Sequence, residues 1–259
     1  MTAPIDIAGI HIPGTADIKF DDPWRWLARG WQDMMRAPVV SFSYGAAFAG
    51  MGFLLTYGLI SLDVWYVILP LAAGFMLLGP VLSVGLYEVS RRHEAGEPVN
   101  IGIALRAWRR NPSGIFAVGL VLMLVFLLWI RIATLLFALF YGIGDFQISA
   151  FFSETFFSFT TIWFLAIGTI IGAGLATLVF SISAVAFPMI VGRKAPAIQA
   201  VLTSIVAVRR NWKPLVLWAM LIMVFSVSGL VVFYVGLIVT LPLIGHASYH
   251  AYRDMVLDD

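Results

Sequence analysis

His246 and His250 stand four residues apart, so on a helix they share one face and could offer two ligands to a metal ion. A closed site needs further donors. The other histidines, His11 and His93, fall outside the apolar runs, and no Asp or Glu lies directly beside the pair. The pair therefore reads as a satisfied helix-end pair, and no metal site is expected. Haem held between two histidines would need them on facing membrane helices, which these runs lack. The chain has no cysteine, which excludes disulfides, thiolate nucleophiles, Cys-ligated iron–sulfur clusters and c-type haem attachment. It also has no GxxxxGK[ST] loop, no GxSxG elbow, no HExxH helix and no paired intramembrane carboxylates. No catalytic residue and no cofactor are expected.

Arg131 is the one charge inside an apolar run, which makes it a candidate for function by default. It lies about 27 Å into its helix at 1.5 Å per residue, close enough to the far interface to snorkel there or to pair with Asp145 or Glu154. A structural role is preferred to transport on that ground. Glu88, with Arg91 and Arg92 three and four residues on, has the favourable order for helical ion pairs. Pro80, Pro188 and Pro242 each free a carbonyl upstream, near Met76, Ala184 and Ile238. Transporters use such carbonyls for ion sites, but packing kinks are the plainer reading.

The elements that would position these residues are membrane helices. Hydrophobic residues are 61% of the chain and charged ones 12%, against about 25% charged in a soluble domain. Val39–Ile60 is free of charge for 22 residues, enough for a hydrocarbon core of ~30 Å. Val64 to about Ser90 returns, and Ser113–Tyr141 and Thr155–Val191 form a second pair across the loop Gly142–Glu154. Leu215–Tyr252 is too long for one span. Splitting it at Ser226–Gly229 gives two, with one span plus a re-entrant segment as the alternative. The expected fold is all-α, a polytopic membrane helix bundle with six transmembrane helices arranged as three hairpins. Residues 21–259 form one membrane domain. Residues 1–20, without the basic start and apolar core of a signal peptide, read as a flexible cytoplasmic tail.

A basic, aromatic segment closed by proline precedes each hairpin: Trp31–Pro38, Arg106–Pro112 and Val208–Pro214. The first belongs to a helix starting at Asp21-Asp22-Pro23, with Trp24, Leu27, Trp31 and Met34 on one stripe and Arg25, Arg29, Gln32 and Arg36 on another. In the second, capped by Asn100, Ile101, Leu105 and Trp108 oppose Arg106, Arg109 and Arg110. In the third, from Pro196, the apolar side is Ile198, Val201, Leu202, Ile205 and Val208. These are read as in-plane interfacial helices, arginines toward anionic lipid and Trp24, Trp31 and Trp108 toward the acyl chains. With spans so placed, fifteen of the sixteen Lys and Arg lie on one side, and the positive-inside rule puts both termini in the cytoplasm of a bacterial cell. Lysines and arginines gathered at membrane junctions, in a chain of net charge +2, make nucleic acid an unlikely partner.

At Gly30–Leu55 (GWQDMMRAPVVSFSYGAAFAGMGFLL) and Gly79–Val99 (GPVLSVGLYEVSRRHEAGEPV) the chain resembles a family of bacterial integral membrane proteins, a domain of unknown function of the 2189 type. The likeness extends over most of the chain beyond residue 20. Some members carry a cytochrome c oxidase label. The residues here lack the intramembrane histidines and the cysteines of a catalytic oxidase subunit, so that label implies an accessory or assembly role. Small residues at four-residue spacing, Gly45 and Ala49 on the first span and Gly168, Gly172 and Ala176 on the fourth, allow close helix packing within the bundle or against another membrane protein. The expected function is a non-catalytic inner-membrane protein that assembles or stabilises a larger complex, with a small-molecule transporter or channel as the alternative.

Overall fold

The computed structural model describes residues 4–7, 9–64, 67–142 and 158–257. Two short antiparallel strands, β1 (Ile5–Ile7) and β2 (Ile10–Ile12), open the chain. Helix α1 (Asp22–Arg36) follows with Pro23 in its first turn. Asp21 stands at the N-cap without a capping bond, and Asp22 instead accepts from the Lys19 amide at 2.8 Å. Then come α2 (Pro38–Ser61), α3 (Ile68–Leu82) and α4 (Val84–Glu94). The second in-plane segment is two short pieces, α5 (Ile101–Leu105), capped by Asn100, and a 3-10 turn (Ala107–Arg110). Asn111 caps α6 (Pro112–Tyr141) and Ser158 caps α7 (Phe159–Ser183). The chain finishes with α8 (Ala186–Arg193), α9 (Ala197–Arg210), α10 (Trp212–Val231) and α11 (Leu237–Met255).

Among the described residues five stretches are long and apolar enough to cross a membrane: α2, α3 with α4, α6, α7 with α8, and α10. The sixth expected span, α11, is not among them, because its second half carries His246, His250, Arg253 and Asp254. The turn before it lies at 232–236, later than the expected split. That turn also falls short of the far end of the bundle. Tyr234 shares a 2.6 Å hydrogen bond with Thr56 and stacks on Gly52, about one and a half to two and a half turns before α2 ends at Ser61. From there α11 passes Gly45 at Ile238, and His246 reaches Ser41. Only Leu237–Gly245, about 13 Å of helix, runs beside the apolar length of α2.

The three closing prolines have different outcomes. Pro80 precedes a break at Ser83 and Pro188 follows one at Ala184-Val185, while α11 passes through Pro242 unbroken. The first hairpin splays: α2 packs chiefly on α11 and α3 on α6, and the two helices touch through Tyr44, which donates to the Leu82 carbonyl at 2.6 Å, and through the Phe48–Phe75 ring pair. In the most apolar window of each span only 22 to 28% of residues are buried. The dense core lies instead where the in-plane helices meet α4, α8 and α11, around Trp26, Phe187, Tyr249 and Tyr252.

At that same end the N-terminal segment, read above as a tail, forms a strap. Ile12 and Thr15 are fully buried. The Ala16 amide donates to the Met255 carbonyl, Leu257 to Gly14, and the Asn211 side chain both accepts from Ile18 and donates to Ala16. Both chain ends therefore sit on one side of the bundle. The third in-plane helix packs on protein through its small residues. On α9 the buried residues are Ala200, Thr203, Ser204 and Ala207, while Ile198 is exposed and Val201, Leu202, Ile205 and Val208 are half-buried. A bilayer gives no drive to hide large apolar side chains, so the small face that allows close approach goes inward.

Candidate functional site

The most ordered chemistry of the molecule is a buried polar layer at the chain-end side, built where α1, α2, α4 and α11 converge. Pro23, Trp26, Leu27, Gly30 and Met34 give α1 an inward face, and Asp33 lies on it, 3% exposed. Its two carboxylate oxygens serve two helices. Oδ1 is 3.2 Å from His93 Nδ1 on α4, and Oδ2 is 2.8 Å from His250 Nε2 on α11. Burial alone would raise this carboxyl, but hydrogen bonds from His250, His93 and Ser90 outweigh it and hold Asp33 well below the usual carboxylate range.

One turn earlier on α11, His246 is fully buried with both ring nitrogens engaged: Nε2 lies 3.0 Å from Ser41 Oγ of α2 and Nδ1 2.8 Å from Ser90 Oγ of α4. Burial pushes its pKa down to about 3, so it is held as neutral imidazole, donating to one serine and accepting from the other. Close approach of the helices makes these short bonds possible. A side chain at Gly45 would meet the Ile238 backbone at 2.5 Å, and one at Gly30 the Ala247 amide nitrogen at 2.7 Å.

Three acids complete the layer. Asp254 accepts from the Trp26 indole at 2.8 Å and pairs with Arg29. Glu94 accepts from the Tyr249 hydroxyl at 2.7 Å and from Arg253 at 2.9 Å. Glu88, 2% exposed, is bonded by Arg91 and Arg92 at 2.8 Å, the pairing its spacing implied, and Arg110 approaches to 3.3 Å while donating to the Val191 carbonyl. The arrangement ties helices from opposite ends of the sequence. Among the described residues no cluster of His, Asp and Glu is arranged to hold a metal ion.

The residues singled out in the sequence divide between this layer and the outer surface. Arg29 and Arg110 turn inward to Asp254 and Glu88. Arg25 and Arg36 are mostly exposed, 3.1 Å from Asp22 and 3.7 Å from Asp33. Arg106 and Arg109 are exposed, Arg109 lying 5.3 Å over the Trp108 ring. Trp24, Trp31 and Trp108 are each about half exposed. Helix α1 thus has three faces rather than two. At 100° per residue, exposed Trp24, Ala28, Trp31 and Met35 fall within about 60° of one another, Arg25, Gln32 and Arg36 form the next sector, and the remaining sector meets protein. On α5 and the 3-10 turn, Ile101, Leu105 and Trp108 are likewise exposed while Ala104 and Ala107 are buried. Arg131 is exposed on α6, near the level where Trp129 donates to the Pro70 carbonyl. Its expected partners, Asp145 and Glu154, lie outside the described residues.

Sequence reasoning missed Asp33 and the joining of His93 to His250. A signal existed: Asp33 is an acid set among Trp26, Leu27, Gly30 and Met34 on α1.

No curated protein and no solved structure matches the chain. The second of the two resembling segments falls within the region matched by a protein family, and the first lies before it. Residues 68–192, from α3 to α8, match the family described as Predicted integral membrane protein (DUF2189).

Proposed function

We propose that this protein is a non-catalytic component of the bacterial cytoplasmic membrane, with both ends in the cytoplasm, that assembles or stabilises a larger membrane complex. The observation that carries this reading is where the polar groups go. Asp33, Glu88, Glu94, Asp254 and the histidines of α4 and α11 are consumed in joining the protein's own helices. The spans meanwhile splay and expose large apolar faces. The three-faced α1 suits a helix wedged between protein, acyl chains and headgroups, with Arg25 and Arg36 toward anionic lipid. The oxidase label that the family resemblance implies suggests a respiratory oxidase as the partner class.

Purification in mild detergent tests the reading: it expects a stoichiometric protein partner and, in proteoliposomes, no solute or ion flux. Selective flux would refute it in favour of a transporter, the reading that the short α10–α11 hairpin and the buried, unbonded Thr240 hydroxyl favour. Reporter fusions after Asp259 test the topology, which is refuted if they are active only in the periplasm.

A further inference from the structure

Beside the start of α2, a cavity of about 470 Å³ opens between α1 and the segment after α4. Its polar wall is Arg36, His93 and Glu97, and its apolar wall is Pro38, Val39 and Val40. We infer that this notch binds the phosphate of one anionic phospholipid, whose acyl chains lie against Val39 and the first turn of α2.

The charges favour an anion. Glu97 is held by Arg91 at 2.7 Å and by Arg92 at 3.4 Å, and Asp33 behind the wall is shared by His93 and His250. Both acids near the notch are thus already partnered. Arg36 is not bound in the same way: its side chain is 62% exposed and its nearest carboxylate contact is long, at 3.7 Å. Its planar fork of donors suits a phosphate. His93 uses Nδ1 on Asp33 and keeps Nε2, which donates when the ring is protonated. The depth is that of a headgroup, because Trp31 and Met35 are exposed on the preceding turn of α1 and Val39, 76% exposed, begins the charge-free run of α2. A free phosphate would use the arginine and leave the valine wall unoccupied, whereas a phospholipid uses both.

This inference rests on the interfacial placement of α1 proposed above, and the test separates the two. Full-length protein is stripped of lipid in detergent, and phosphatidylglycerol is titrated in while native mass spectra are recorded. The wild type should hold one lipid per chain. Arg36→Gln should weaken binding roughly tenfold, the effect of losing a charge-assisted contact. Arg36→Lys should keep most of it, and Arg25→Gln, on the same helix but away from the notch, should match the wild type. Val39→Trp, which fills the cavity without changing charge, should also weaken it. Equal lipid retention by Arg36→Gln and Val39→Trp would overturn the site, and displacement of the lipid by excess inorganic phosphate would reassign it to a soluble anion. The part of the tryptophan quenching by brominated lipid that is lost in Trp24→Phe and Trp31→Phe variants reports the placement of α1 independently. Quenching with no lipid retained overturns the notch alone, and no quenching overturns the placement on which it rests.

Discussion

Replacing Gly45 by alanine tests whether α11 is clasped by backbone contact. The new Cβ would stand 2.5 Å from the Ile238 carbonyl oxygen and 2.8 Å from its carbonyl carbon and Cα, whereas ordinary contact begins at 3.4 Å. Backbone atoms cannot swing aside, so α2 and α11 must separate by about 1 Å, stretching the His246–Ser41 bond at the same interface. Overpacking of this kind costs about 1 to 3 kcal/mol, against which alanine recovers up to ~1 kcal/mol of helix propensity. With that recovery the net loss is up to about 2 kcal/mol, a fall in Tm of up to roughly 8 °C for a chain of this size. Gly50 on the same helix is the control: nothing lies within 4 Å of its Cβ, so Gly50→Ala should be neutral or stabilising. Thermal unfolding of the three proteins in one detergent decides the matter. If Gly45→Ala melts with Gly50→Ala, the two helices are not in backbone contact and the reasoning fails.

Asp33→Asn keeps the shape but leaves one of the two histidine donors facing an amide N–H, and should cost about 2 kcal/mol in chemical denaturation. Stability should fall in mild acid. Folded His246 resists protonation down to about 3 while the unfolded residue takes a proton near 6.5, so the contribution is complete above 6.5 and is lost as pH drops toward 3. Between pH 7.5 and 5 that amounts to about 2 kcal/mol, absent in His246→Asn, and visible in melting curves across pH. The Asp33 carboxylate adds a further loss only below its unfolded value of about 3.9, the sign expected for a depressed acid. Arg131→Gln, at an exposed position, should change Tm by no more than the equivalent of ~0.5 kcal/mol.

The spans were readable because length and absence of charge are local properties. Val39–Ile60 differs from the observed α2 by a residue at each end, and the proline junctions at 38 and 112 begin α2 and α6. Orientation within an element was harder. On α9 the apolar stripe does not say which residues meet protein: Ile198 is exposed and Thr203 and Ser204 are buried. Lipid is as apolar as isoleucine, so closeness of approach decides. The polar layer was invisible for a different reason. The partners of Asp33 lie 60 and 217 residues away, and no periodicity carries information over such separations. Charge counting placed Arg29 and Arg110 on the correct side of the bundle yet could not tell an arginine aimed at lipid from one aimed at a buried acid.

The bond from the Trp26 indole to Asp254 joins residues 228 positions apart, which sets a condition on biogenesis. At about 5 to 20 residues per second, α1 leaves the ribosome roughly 10 to 50 s before the helix that covers its inner face exists. During that interval the inner face of α1, with Trp26, Leu27 and Met34, lacks the helix on which it packs most extensively. Chains cut short before α11 would leave that face open indefinitely, a mark by which quality-control proteases could tell an unfinished molecule from a finished one.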